Sequence, residues 1–170
     1  MNVTVYRPAF RQLDMKNCVF TIVDGGSQSI TVTVGEGNFQ WTERVTREYT
    51  LDRGVLDEVR NGDEAPVDVN FAFTWEQISS DSADTATLED VLKNQNAAAD
   101  WVSSDADACR PYAVDLIITN TPDCVTGDIE VLTFSDFRYE ELSHDLRAGT
   151  IACTGKCNIT MPSSERITNS

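Results

Sequence analysis

The sequence predicts a mainly β fold: an antiparallel β sandwich or barrel of about seven strands with one flanking α-helix and a projecting β loop. Three observations carry that expectation. Apolar residues recur at every second position over most of the chain, and clusters of Gly, Pro, Asn and Asp separate the runs. A length of 170 residues at 18.8 kDa fits one domain with one core, spanning 1–170.

Residues 1–16 read as an N-terminal arm. Cys18 to Asp24 and Ser29 to Val34 are strand-like, and Gly25-Gly26 between them marks a hairpin turn. From Phe39 to Leu51 the odd positions Phe39, Trp41, Val45, Tyr49 and Leu51 are apolar and the even ones polar, which predicts one buried and one solvated face. Residues 52–66 read as the projecting loop, with Asn61-Gly62 as its turn signal. Alternation resumes through Val67, Val69, Phe71, Phe73 and Trp75, a core strand, and with Trp41 these aromatics read as core. Thr87 followed by Asp90 is a capping box ahead of the single helix, which Asn94, Gln95 and Asn96 are placed to end. Three further strands are expected over Tyr112 to Thr119, Asp128 to Phe137 and Thr150 to Thr160. Arg138 to Leu146 reads as a helical turn or a crossing loop, and 161–170 as a polar tail.

Acids outnumber bases 28 to 13, for a formal net charge of −15. Gripping a phosphate backbone needs clustered Lys and Arg, so nucleic-acid binding is excluded. No apolar run approaches the roughly 18 residues of a membrane span, and the first residues lack a secretory leader's apolar core. Five cysteines are few for a disulfide scaffold, so reduced folding in a cytoplasm is expected.

Chemistry finds little foothold. His144 is the only histidine, and its neighbours Ser143 and Asp145 project away from it, so it reads as a surface histidine. Phosphate-cradling and dinucleotide motifs are absent. Cys153 and Cys157 lie on one side of a strand about 13 Å apart, too far for one zinc, and read as buried small apolar residues. A bridge between Cys109 and Cys124 is allowed but not required by spacing. Asp105 and Asp107 mimic the start of a calcium loop, yet Arg110 stands where its glycine belongs, and they read as solvated loop carboxylates. Glu140 and Glu141 are adjacent, a poor arrangement for glycoside hydrolysis. Asn2-Val3-Thr4 and Asn158-Ile159-Thr160 match the glycosylation pattern by chance. Arg44, Arg47 and Arg53 form the one dense basic group, interleaved with Glu43, Glu48 and Asp52: a solvated face or half of a protein interface.

The strand ending Tyr49-Thr50-Leu51, the loop from Arg53 to Pro66, the core strand Val67 to Trp75 and the stretch Leu146 to Cys157 together resemble major tail tube proteins of tailed bacteriophages. The resemblance implies a structural virion protein, folded in the host cytoplasm, whose hexameric rings stack into a tube that meets other tail proteins. It implies no catalysis, cofactor, metal or membrane contact. DNA would pass during ejection without specific binding, eased by an acidic lumen. On that reading Arg44, Arg47, Arg53, Asp57, Glu58 and Arg60 are expected at the subunit interface, and Asp68, Glu76 and Glu130 facing the lumen. The competing readings are another tail ring component, a terminator or baseplate protein, and a monomeric binding module that uses Trp41, Trp75 and Trp101 as stacking platforms. Replacing Arg44, Arg47 and Arg53 together by Glu is expected to weaken assembly, measured by light scattering, while circular dichroism shows the subunit still folded.

Overall fold

The computed structural model describes residues 15–32, 38–75, 85–122 and 128–168. After a 3-10 turn at Met15–Asn17 come β1 (Cys18–Val23), β2 (Ser29–Val32), β3 (Phe39–Thr42), β4 (Val45–Asp52), β5 (Val55–Glu64) and β6 (Val67–Thr74). The helix α1 (Leu88–Lys93) and a 3-10 turn at Asn96–Ala98 follow, then β7 (Val114–Asn120), β8 (Ile129–Asp145), β9 (Thr150–Cys157) and β10 (Ser163–Ile167). Antiparallel pairing orders the main sheet β2-β1-β7-β8-β9-β6-β3, with β10 also on β8, while β4 and β5 pair only with each other.

The main sheet is folded over on itself. β1 and β6 lie far apart in the strand order, yet the rings of Phe20 and Phe71 meet at 5.2 Å and those of Phe20 and Phe39 at 5.1 Å. Because the path ends on β2 and β3, the described residues form a sandwich and not a closed barrel. Its core joins Phe20, Ile22, Val67 to Phe73 at alternate positions, Leu116, Phe134, Phe137 and Ile151 with Leu88, Val91 and Leu92 of α1. The helix is thus a lid on the sandwich interior. None of the described helices is long and apolar enough to cross a membrane.

The fold-over depends on β8. In a regular strand Phe134 and Phe137, three apart, would face opposite ways. Both are buried, because β8 carries an extra residue between the pairs Leu116↔Phe134 and Val114↔Phe137. Asp136 sits there with φ of 57°, a left-handed conformation that short polar side chains tolerate. Its amide donates to Asp115 Oδ1 at 2.9 Å, and its carboxylate accepts from Ser104 Oγ at 2.9 Å. A second shift between Tyr139 and Glu141 turns the strand again.

Local signals read correctly. The turn after β1 is braced by Asp24, whose buried carboxylate accepts from the amides of Gly26, Gln28 and Val102. Asp90 N donates to Thr87 Oγ1 at 3.2 Å and Thr87 N to Asp90 Oδ2 at 3.3 Å, so the capping box is present, and Asn94 ends α1 in the left-handed region.

Four expectations are corrected. Arg138 to Leu146 is no loop but mostly the second half of β8, since the bulges there break the alternation that would have marked it. The expected tail contains β10, which borrows its hydrogen bonds from β8. Of the aromatic stripe, Phe71 and Phe73 are buried, but Trp41 and Trp75 keep over a third of their surface in solvent. Asp105 is not solvated: it is buried, with Arg138 Nη2 at 2.8 Å and Arg110 Nη1 at 3.3 Å, and so straps the loop before β7 to β8.

Gly155 lies under the kink. A methyl group there would come 2.7 Å from the Phe137 ring and closer still to the Arg138 carbonyl. Gly155→Ala is therefore expected to cost about 1–3 kcal/mol in urea unfolding. The Arg138 bond, the Asp107 amide and Arg110 together hold the Asp105 carboxyl at about 2, against 3.8 normally. A folded-state value below the unfolded one adds stability that is fully present above 3.8 and disappears as the pH falls through about 2. Asp105→Asn should lower stability at neutral pH and flatten the pH dependence of unfolding in that window, followed by circular dichroism.

Candidate functional site

The β4–β5 hairpin stands outside the core. Every residue of β4 is exposed, and in β5 only Gly62 is even half-buried. The turn is Asp52 to Val55, where Arg53 (φ 50°) and Gly54 (φ 81°) take consecutive left-handed conformations, the geometry that matches the twist of two paired strands. Asn61-Gly62, expected as the turn, lies inside β5, where a side chain on Gly62 would strike Thr46. The expected loop over 52–66 is thus the outer turn and returning strand of a longer hairpin.

The alternation seen from Phe39 to Leu51 is real, but only its first residues meet the core, Phe39 directly and Trp41 with one ring edge on Phe134, and the apolar face of β4 meets solvent. Cross-strand pairs share a face. The pairs Tyr49↔Val59 and Leu51↔Leu56 make one face apolar toward the tip, with the mixed pairs Arg47↔Asn61 and Val45↔Glu64 nearer the root, while Glu48↔Arg60 and Thr50↔Glu58 make a charged face. Val45, Tyr49, Leu51, Leu56 and Val59 are each more than half exposed. A lone two-stranded hairpin is marginal in water and gains stability only by packing against something. Both hairpin edges, beyond the pairing of β4 with β5, also lack a strand partner among the described residues.

The residues expected at the interface divide. Arg47, Arg53, Asp57, Glu58 and Arg60 all belong to the hairpin or its turn, with Arg60 Nη2 3.1 Å from Glu58 Oε2. Arg44 pairs with Asp68 of β6, so an expected interface cation and an expected lumen acid hold each other and anchor the hairpin root. Glu130 accepts from Ser164 Oγ at 3.4 Å and lies 3.9 Å from Arg166, next to β10. Glu76 lies outside the described residues. What the sequence reading missed is that the apolar residues of β4 and β5, and not only the charges, form the exposed surface; their alternation was visible, and was assigned to the core.

Burial pushes the thiols of Cys153 and Cys157 up to about 12, as expected of apolar packing groups. Cys109 is exposed, and Cys124 lies outside the described residues. His144, in β8 and not in a loop, rests edge-on against Trp75 at 5.1 Å with Nε2 3.0 Å from Glu89 Oε1. Burial raises the Glu89 carboxyl, and bonds from Lys93 and His144 outweigh it, leaving a net lowering. No three side chains among the described residues are grouped to hold a metal ion.

The sequence matches no protein-family model and no curated relative. Among solved structures, the chain is similar to the tube-terminating cap of the anti-feeding prophage, with 10% identity and a TM-score of 0.56 over 98% of this chain and 99% of that one. It is similar also to the sheath/tube terminator of the PVC extracellular contractile injection system in its extended state, with 11% identity and a TM-score of 0.54 over 95% of this chain and 99% of that one. At such identities the likeness is one of fold, and it runs from end to end of all three chains.

Proposed function

We propose that the chain is a terminator subunit: a structural, non-catalytic protein that forms a ring closing the end of a tube in a phage-tail-like particle. The observation that carries this reading is the end-to-end fold likeness to two tube terminators. It favours the terminator alternative over the tube subunit itself, the first expectation from the sequence. The exposed amphipathic hairpin supports it, because a folded subunit with an uncovered apolar face is built for assembly. In the ring, neighbouring copies cover Tyr49, Leu51, Leu56 and Val59, and the face of Glu48 and Glu58 turns to the wet channel. Six copies would bring about 90 net negative charges, a lumen that repels phosphate. The sugar-binding alternative loses a platform, since Trp101 is 7% exposed.

Terminators and tube subunits differ in what stops growth. Light scattering over rising concentration, paired with negative-stain microscopy, is expected to plateau at one ring, near six times 18.8 kDa. Stacking into tubes of open length would restore the tube-subunit reading, and a single-copy mass throughout would overturn both. Tyr49→Glu with Leu51→Glu should abolish rings while the thermal unfolding of the subunit stays within about 0.5 kcal/mol of the parent, because both side chains are on the surface.

A further inference from the structure

Between α1 and the kink of β8 lies a cavity of about 280 Å³. Leu92, Tyr112, Val114 and Phe137 are among its walls, and Lys93 and Arg138 are its cations. The space is smaller than the usual 300–1,000 Å³ of small-molecule sites, but it suits one or two aliphatic side chains. Arg138 spends Nε on the Pro111 carbonyl, Nη1 on the Asp136 carbonyl and Nη2 on Asp105, and Lys93 bonds Glu89; of five guanidinium N–H groups two remain, and of three ammonium ones two. An occupant that fits this lining is apolar and carries a carboxylate.

The hairpin tip has that chemistry. Leu51 and Leu56 are paired across it and exposed, and Asp57 is the extra residue at the bulge beside them, a position that re-aims a side chain. Asp52 opens the turn. Eight residues of β4 at about 3.3 Å each carry the tip roughly 26 Å from its root.

We propose that the hairpin tip of a second copy docks in the mouth of this cavity, with Leu51 and Leu56 against Pro111, Tyr112 and Tyr139, and Asp57 paired with Lys93 and Arg138. The inference rests on the ring reading and gives it direction: each copy donates one tip and receives another, a head-to-tail contact that closes when the rotation per copy does.

The full chain, as an equal mixture of 14N- and 15N-labelled protein at an associating concentration, can be treated with a carbodiimide that joins lysines to touching carboxylates. There are only three lysines, Lys16, Lys93 and Lys156. The expected product is a mixed-label peptide pair joining Lys93 to Asp57 or Asp52, beside the single-label Lys93–Glu89 pair as internal control. Mixed-label hairpin products on Lys16 or Lys156 alone, or the control without a mixed-label Lys93 product, overturn the tip-in-cavity contact. If rings are present in that sample, the ring reading survives, whereas a single-copy mass at every concentration sinks both. Asp57→Lys, which alters only an exposed hairpin residue, should lower the association constant about tenfold, and adding Lys93→Glu in the same chain should recover much of it. Unchanged association of Asp57→Lys counts against the contact.

Discussion

The structure turns on the kink in β8. One strand of 17 residues pairs with β7 and β10 along its first half and with β9 along its second, so it belongs to both layers of the sandwich. That is possible only because the extra residue at Asp136 returns the alternation to the same face, putting Phe134 and Phe137 into one core. A left-handed non-glycine residue costs about 1–2 kcal/mol. Bonds from the Asp136 amide to Asp115, and from Ser104 to the Asp136 carboxylate, offset that cost, and Gly155 opposite leaves room for the Phe137 ring. The strap of Asp105, Arg138 and Arg110 then ties the loop before β7 to the same bend. The inserted residue at Asp136 and the second shift between Tyr139 and Glu141 together bend the strand, and the cavity beside α1 is lined by Phe137, Arg138 and Tyr139 of that bend.

A core completed in this way has no use for the hairpin. The sandwich buries β6 at every second residue, while β4 and β5, on the same stretch of chain, bury almost nothing. Covering a Leu or Val side chain is worth roughly 1.5–3 kcal/mol. Five such groups left in water are a large unspent driving force on a subunit whose stability is otherwise set elsewhere. The hairpin root is tied to the sheet through the Arg44–Asp68 ion pair and runs directly into β6.

What the sequence made legible were the features with local causes. The capping box at Thr87 and Asp90, the stop at Asn94, the turn after β1 and the alternation of β6 each involve neighbours a few residues apart. What it hid were features set by distant partners. Asp105 reads as a loop acid until Arg138, 33 residues on, is folded against it. The second half of β8 looked irregular because bulges interrupt a period-two pattern without ending the strand. Asn61-Gly62 is a strong turn signal, but Arg53-Gly54 accepted the left-handed geometry first and placed Gly62 inside the ladder, against Thr46. The hairpin is the most telling case: period two reports that one face is apolar, and says nothing of whether the cover comes from the same chain or another.

Charge and apolar surface then act on different length scales. A net −15 per subunit opposes assembly, but charges separated by more than about 8–10 Å are largely screened at physiological salt. Contacts between apolar faces act at van der Waals distance and are untouched by that screening. In the proposed ring the acidity would set where the assembly tolerates its own charge, on the side left wet, while the choice of contact would fall to the apolar pairs and to the few places where opposite charges stand beside them. Arg60 next to Glu58 within the hairpin, and Asp57 on its bulge, show both arrangements on one element: the charged face is partly neutralised internally, and the tip carries a carboxylate outward. On the proposed assembly such a tip would be selective, because like-charged surfaces repel wherever the apolar pair and a cation do not coincide.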